Sequence, residues 1–140
     1  MKSTSKTKII KTDLIYPEVS YKIIGILFDV YNNLGPGYQE IYYQRAISSV
    51  FKKEKFNFRE QVGISLDYLG NKIGRYILDF VIGNKIILEI KKGDRFSRKD
   101  IEQIYAYLKA KNLKLGILAN FTNQGVKFKR ILNLPKPLYK

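Results

Sequence analysis

The stretch that most constrains this chain runs from Arg75 to Lys91, Arg-Tyr-Ile-Leu-Asp-Phe-Val-Ile-Gly-Asn-Lys-Ile-Ile-Leu-Glu-Ile-Lys. Two apolar runs rich in β-branched residues flank Gly83-Asn84, so the stretch reads as a hairpin in the middle of a buried sheet. Each run nevertheless carries charge in its interior: Asp79 in the first, Glu89 and Lys91 in the second. A buried carboxylate is costly unless something cationic answers it. The hairpin therefore reads as half of a metal site, against the alternatives of a buried Glu-Lys ion pair or a solvated sheet face.

The turn decides between these readings. Side chains alternate along a strand, so Glu89 and Lys91 share a face by spacing alone. A two-residue Gly83-Asn84 loop would set Asp79 beside Leu88 and separate the acids. A three-residue loop, Gly83-Asn84-Lys85, sets Asp79 opposite Glu89, and this register or an equivalent bulge is expected.

Composition narrows the chemistry. The 140 residues contain no histidine and no cysteine, which excludes Ser-His-Asp triads, histidine bases, disulfides and zinc-thiolate sites. Carboxylate, lysine and tyrosine chemistry remain. Phosphodiester hydrolysis needs an activated water, neutralised phosphoryl charge and help for the leaving oxygen, and one or two divalent ions supply all three. Mg²⁺, with Mn²⁺ as an alternative, takes oxygen ligands and keeps several waters. Asp79, Glu89, the Ile90 carbonyl and Glu40 supply enough donors, with Lys91 to orient water and offset developing charge. The 26 Lys and Arg against 12 Asp and Glu give a net charge of +14, which favours a polyanion such as nucleic acid.

Along the chain, residues 1–16 form a basic arm with Lys2, Lys6, Lys8 and Lys11, and residues 17–140 form a single domain. From Pro17, the residues Val19, Ile23, Ile26, Leu27, Val30 and Leu34 predict a helix with one buried face, ended at Gly35-Pro36-Gly37. A second helix is expected from about Tyr38 to Lys55, with Tyr43, Ala46, Ile47, Val50 and Phe51 inward. Glu40 projects from its first turn toward that stripe, as a capping acid or as one reaching for a metal. Strands follow at about Phe58–Leu69, Lys72–Ile82 and Ile86–Lys91, with turns at Gly70-Asn71 and Gly83-Asn84. Ser97 and Asp100 start a third helix that ends near Asn112. Ile101, Ile104, Tyr105 and Leu108 form its core face, while Asp100, Gln103 and Tyr107 share another. Leu113–Ala119 reads as a strand and Val126–Leu132 as a strand or short helix. Hairpins followed by a strand–helix–strand crossover make a mixed β-sheet flanked by α-helices, an α/β domain. No apolar run approaches the ~20 residues of a membrane span and the start lacks a signal peptide, so a cytoplasmic protein with no membrane partner is expected.

These residues resemble a known family. Asp79, a gap of nine, then Glu89-Ile90-Lys91 is the D-x(n)-E-x-K signature of the PD-(D/E)XK nuclease superfamily, whose core is the restriction-endonuclease-like fold. Gly37-Tyr38-Gln39-Glu40-Ile41-Tyr42-Tyr43 matches G-x-x-E-x-x-Y, the pattern that names the GxxExxY family within it. Leu34-Gly35-Pro36-Gly37, the Gln103-to-Tyr107 spacing and Gly116-Ile117-Leu118-Ala119-Asn120-Phe121 are also similar, and the likeness covers about residues 18 to 132. Tyr31 stands where many relatives have histidine, and Thr122 follows Asn-Phe where glycine is usual. The resemblance implies Asp79 and Glu89 as metal ligands, Lys91 as catalytic lysine and Glu40 as the helix-borne acid that completes or tunes the site. It also implies Gln103 as the glutamine of the following helix, with Tyr107 as its aromatic companion. A Mg²⁺-dependent nuclease acting on DNA more readily than RNA follows, with Lys92, Arg95, Arg98, Lys99, Tyr107, Lys127, Lys129 and Arg130 as nucleic-acid contacts. So small a domain could dimerise or join a larger complex to grip a duplex. The alternative is a non-catalytic nucleic-acid-binding module on the same fold.

Overall fold

The computed structural model describes residues 15–134. Lys2, Lys6, Lys8 and Lys11 of the expected basic arm lie outside the described residues, as do residues 135–140.

Helix α1 spans Pro17–Leu34, with proline in its first turn and Gly35 ending it at φ 82°. Ile23, Leu27 and Val30 are buried as the spacing predicts, but Val19 and Leu34 at the two ends are exposed. Helix α2 spans Glu40–Lys53. It starts later than expected because Gly37 is left-handed at φ 99° and Gln39 is extended. Strands β1 (Phe58–Tyr68) and β2 (Asn71–Ile82) form a long antiparallel hairpin. Its turn is Leu69-Gly70, at φ 51° and 80°, rather than Gly70-Asn71; Asn71 already pairs with Tyr68. Strand β3 (Ile86–Lys92) follows a three-residue loop that Lys85 N closes by donating to the Ile82 carbonyl, 3.0 Å away. Helix α3 spans Arg98–Lys111, capped at Ser97, whose hydroxyl accepts from Asp100 N at 2.9 Å. Strands β4 (Leu115–Thr122) and β5 (Gly125–Leu132) complete the regular structure of the described residues.

The five strands lie in chain order, β1-β2-β3-β4-β5. Only β3 and β4 are parallel, joined through α3, so the sheet is mixed. Helices α1 and α2 cover one face, packing Leu27, Ile47 and Phe51 onto Phe80, Leu88 and Ile117. Helix α3 covers the other, packing Ile104 and Leu108 onto Leu78, Ile87 and Leu118. The result is an α/β domain in which β4, covered on both faces, is buried throughout. Gly116 lets α3 approach this closely: a Cβ there would lie 2.5 Å from the Ile104 side chain.

One departure from regular geometry positions the site. Residues two apart on a strand normally share a face. Here Leu78 packs toward α3 and Phe80 toward α1 and α2, and on β1 Val62, opposite Leu78, and Phe58, whose ring meets that of Phe80, divide in the same way. The β1–β2 ribbon therefore turns over between them. The ladder steps across this point from Glu60–Phe80 to Val62–Leu78, past Gln61, which is left-handed at φ 53°, and Asp79. Gln61 and Glu60 both reach α2, bonding Gln44 at 3.1 Å and Ser48 at 3.0 Å. Asp79 sits opposite the kink.

Candidate active site

The β2–β3 ladder runs Ile82–Ile86, Val81–Ile87, Phe80–Leu88. One more step would set Asp79 opposite Glu89, and there side chains take over from main-chain pairing. Asp79 N donates to Glu89 Oε1 at 2.8 Å, and Ile90 N donates to Asp79 Oδ2 at 2.8 Å. Each carboxylate thus bonds the other strand's backbone and holds open a seam in the sheet. The N–H and carbonyl of a strand residue point the same way, so the Ile90 carbonyl also faces Asp79 across the seam. Tyr76, on the α3 side of β2, donates its hydroxyl to Glu89 Oε2 at 2.7 Å.

Burial dominates the electrostatics. Glu89 is only 2% exposed, and desolvation, with the Asp79 charge second, pushes its carboxyl up to about 8. Desolvation also raises Asp79, with the Ile90 N–H working the other way and Glu40 adding a smaller upward push. The Tyr76 phenol is raised by burial and by its bond to Glu89. Two carboxylates in this position favour a proton or a cation between them over two bare charges.

Lys91 follows on the same face as Glu89, its Nζ 3.9 Å from Asp100 Oδ1. Gln103 bonds the Tyr107 phenol, whose pKa burial raises. The Tyr107 ring stacks on Tyr76 with centroids 4.8 Å apart. Gln103 therefore touches the carboxylates only through two aromatic rings. Tyr107, expected on the nucleic-acid-facing surface, is buried, while Tyr105, expected in the core, is exposed. The inward face of α3 is thus rotated from its expected position, because the Tyr76–Tyr107 stack fixes it.

Glu40 reaches β3 from the first turn of α2, its Oε2 accepting from Lys92 N at 3.1 Å. Tyr43 donates its hydroxyl to the Gly35 carbonyl at 2.7 Å and accepts from Tyr38 N at 3.3 Å, and its ring packs 4.4 Å from that of Phe121. The Gly37 carbonyl accepts from Lys92 Nζ at 3.4 Å. Gly37, Glu40 and Tyr43 together tie the α1–α2 connection to the end of β3. Among the described residues no three acidic side chains converge on one point, so Glu40 does not close a three-carboxylate cage. Asp79, Glu89 and the Ile90 carbonyl remain as an all-oxygen donor set. It fits a hard divalent ion that keeps several waters, and such an ion would relieve the charge that burial opposes.

The basic residues divide. Lys92 at the end of β3, Arg95 on the loop after it, and Arg98 and Lys99 in the first turn of α3 are all exposed. Asn120 Nδ2 holds that loop by donating to the Arg95 carbonyl at 2.6 Å, and Lys127 Nζ donates to the Asp94 carbonyl at 3.2 Å. Lys127 therefore joins the group, with exposed Lys129 two positions along β5. Arg130 points the opposite way and donates to the Ile15 carbonyl at 2.6 Å, on the α1 side. Sequence reasoning missed Tyr76 and Asn120; the one signal for Tyr76 was its two-residue spacing from Leu78. The two positions noted as departures meet, the Tyr31 hydroxyl donating to the Thr122 carbonyl at 2.7 Å.

A family model of the PD-(D/E)XK nuclease superfamily matches residues 17–131. No curated protein matches the chain. Among solved structures, the crystal structure of SSO0001 superposes with a TM-score of 0.52 at 23% identity, over 66% of this chain and 50% of that one. An alkaline exonuclease from Laribacter hongkongensis, LHK-Exo, gives a TM-score of 0.46 at 12% identity, over 61% of this chain and 52% of that one. The chain spans about half the length of each. At 23% identity the likeness to SSO0001 concerns the fold alone.

Proposed function

The chain belongs to the PD-(D/E)XK nuclease superfamily, and from that membership we propose that it is a metal-dependent nuclease hydrolysing phosphodiester bonds of DNA. The observation that carries this reading is the seam in which Asp79 and Glu89 face each other between two strands, with Lys91 on the same face as Glu89. Asp79, Glu89 and the Ile90 carbonyl would hold Mg²⁺, with Mn²⁺ as an alternative, and Glu40 would tune the site through Lys92 N. A bound ion would acidify water and offset phosphoryl charge. The chain's own residues do the rest. Lys91 brings an ammonium to the attacked phosphate and orients water. Tyr76 fixes the Glu89 rotamer, and Gln103 is a positioning residue acting through Tyr107. Lys92, Arg95, Arg98, Lys99, Lys127 and Lys129 hold backbone phosphates; Arg130, turned toward Ile15, is left out.

The narrower membership, in the GxxExxY family, is supported by the joint action of Gly37, Glu40 and Tyr43 on the end of β3. DNA over RNA, a cytoplasmic setting and a homodimer or larger assembly belong to the same proposal. No helix among the described residues is long and apolar enough to cross a membrane.

The test is incubation with single- and double-stranded DNA and RNA in Mg²⁺, Mn²⁺ or EDTA, with Lys91→Ala as control. Metal-dependent cleavage that Lys91→Ala loses supports the reading; equal cleavage by the variant would overturn it. One observation favours a second reading, a non-catalytic binding module: Glu40 is engaged by Lys92 N and no third acid among the described residues joins the pair. That reading expects salt-sensitive binding that survives Asp79→Ala, without metal-dependent turnover.

A further inference from the structure

The connection between α1 and α2 and the first turn of α2 leave two large aromatic side chains in solvent. Tyr38 is 43% exposed and Tyr42 is 49% exposed. Their rings meet edge to face with centroids 6.5 Å apart, and with Leu34 and Ala46 they line a groove of about 300 Å³. The Arg45 guanidinium lies 5.9 Å from the centre of the Tyr42 ring. Hydrogen bonds tie this corner to the end of β3. Tyr38 N donates to the Tyr43 hydroxyl, the Gly37 carbonyl accepts from Lys92 Nζ, and Glu40, between the two tyrosines in sequence, accepts from Lys92 N. The Lys92 ammonium therefore lies one residue along the chain from Tyr38.

We propose that Tyr38 and Tyr42 are a stacking platform for the bases of a single-stranded nucleic acid, or of a strand splayed from a duplex end. Exposed aromatic faces accept any base, and flanking cations hold the backbone of the same strand. A duplex keeps its bases stacked on one another and offers this groove only phosphates. A second copy of the chain is a poor occupant: a two-fold contact here would bring the Arg45 and Lys92 charges of both copies together, over a patch far smaller than a stable interface. The proposal rests on the nuclease reading for the direction in which the strand runs, not for the stacking itself.

The test measures fluorescence anisotropy of a labelled oligothymidylate and of a blunt duplex of matching length, with the full chain in EDTA so that no cleavage intervenes. The Tyr38→Ala/Tyr42→Ala double variant is expected to weaken single-strand binding about tenfold or more while changing duplex binding less than about twofold. Tyr42→Trp should retain single-strand binding, and unchanged thermal melting excludes unfolding as the cause. Equal loss on both substrates, no loss on either, or a parent protein that does not bind single strands would overturn the platform. So would sedimentation showing a dimer that the double variant dissolves while oligothymidylate leaves it intact. Platform binding without metal-dependent turnover would remove the nuclease reading and leave the platform standing.

Discussion

At the scale of single residues, the seam is two acids bonded to each other's strands. In metal-free protein burial, with the Asp79 charge second, pushes the Glu89 carboxyl up to about 8 from an ordinary value of 4.5. A group raised in the folded state contributes stability that is complete below the unfolded value and is lost as pH climbs through the folded one. The urea midpoint of metal-free protein should therefore fall between about pH 5 and pH 8, corresponding to a loss on the order of a few kcal/mol. Glu89→Gln should flatten that dependence, and millimolar Mg²⁺ should restore the midpoint at pH 8 in the parent only. A midpoint that rises with pH in metal-free protein would show that burial does not govern the pair. Tyr76→Phe removes the hydroxyl on Glu89 Oε2 and should cost about 0.5–1.5 kcal/mol in denaturant melts, with a larger fall in kcat than in KM.

At the scale of elements, what the sequence revealed depended on whether the partner was local. The three-residue loop was readable because that register sets Asp79 opposite Glu89, two acids that a two-residue loop would separate. The first hairpin's turn was misplaced by one residue because Leu69 adopts a left-handed conformation that leucine rarely takes, so turn chemistry pointed downstream to Gly70-Asn71. Periodicity could not choose between Tyr105 and Tyr107, since both are amphipathic and the deciding partner, Tyr76, lies on another element. Glu40 on Lys92 N spans 52 residues and left no trace beyond the motif itself. The kink at Gln61 and Asp79 left none at all. Two substitutions test this layer. Gly116→Val should force α3 away from β4 and cost about 1–3 kcal/mol, read as a lowered melting temperature. Tyr43→Phe frees the Gly35 carbonyl and Tyr38 N, and should cost about 0.5–1.5 kcal/mol while lowering single-strand binding more than duplex binding.

At the scale of the whole molecule, charge was legible from composition, whereas its distribution was not. The net charge of +14 says only that polyanions are attracted; the fold gathers Lys127 onto the loop of Arg95 and turns Arg130 toward Ile15. Nucleic-acid affinity should fall steeply between about 50 and 200 mM salt, and Lys127→Ala should reduce the slope of log K against log salt by roughly one. Arg130→Lys should leave that slope unchanged.

The strand order, which repeats the chain order, bears on how the molecule assembles. Every pair of neighbouring strands is also consecutive in sequence, so three of the four connections are short turns with little entropic cost, only β3 to β4 running through α3, and both seam acids flank one such turn. The widest separations in sequence gather where α1 meets the far edge, at Tyr31 on Thr122 and Arg130 on Ile15. Folding should then nucleate on β2, β3 and β4, with α1 docking last. Amide exchange should find α1 opening while the seam is still protected, so the carboxylate pair would be among the earliest parts of the molecule to form and among the last to come apart.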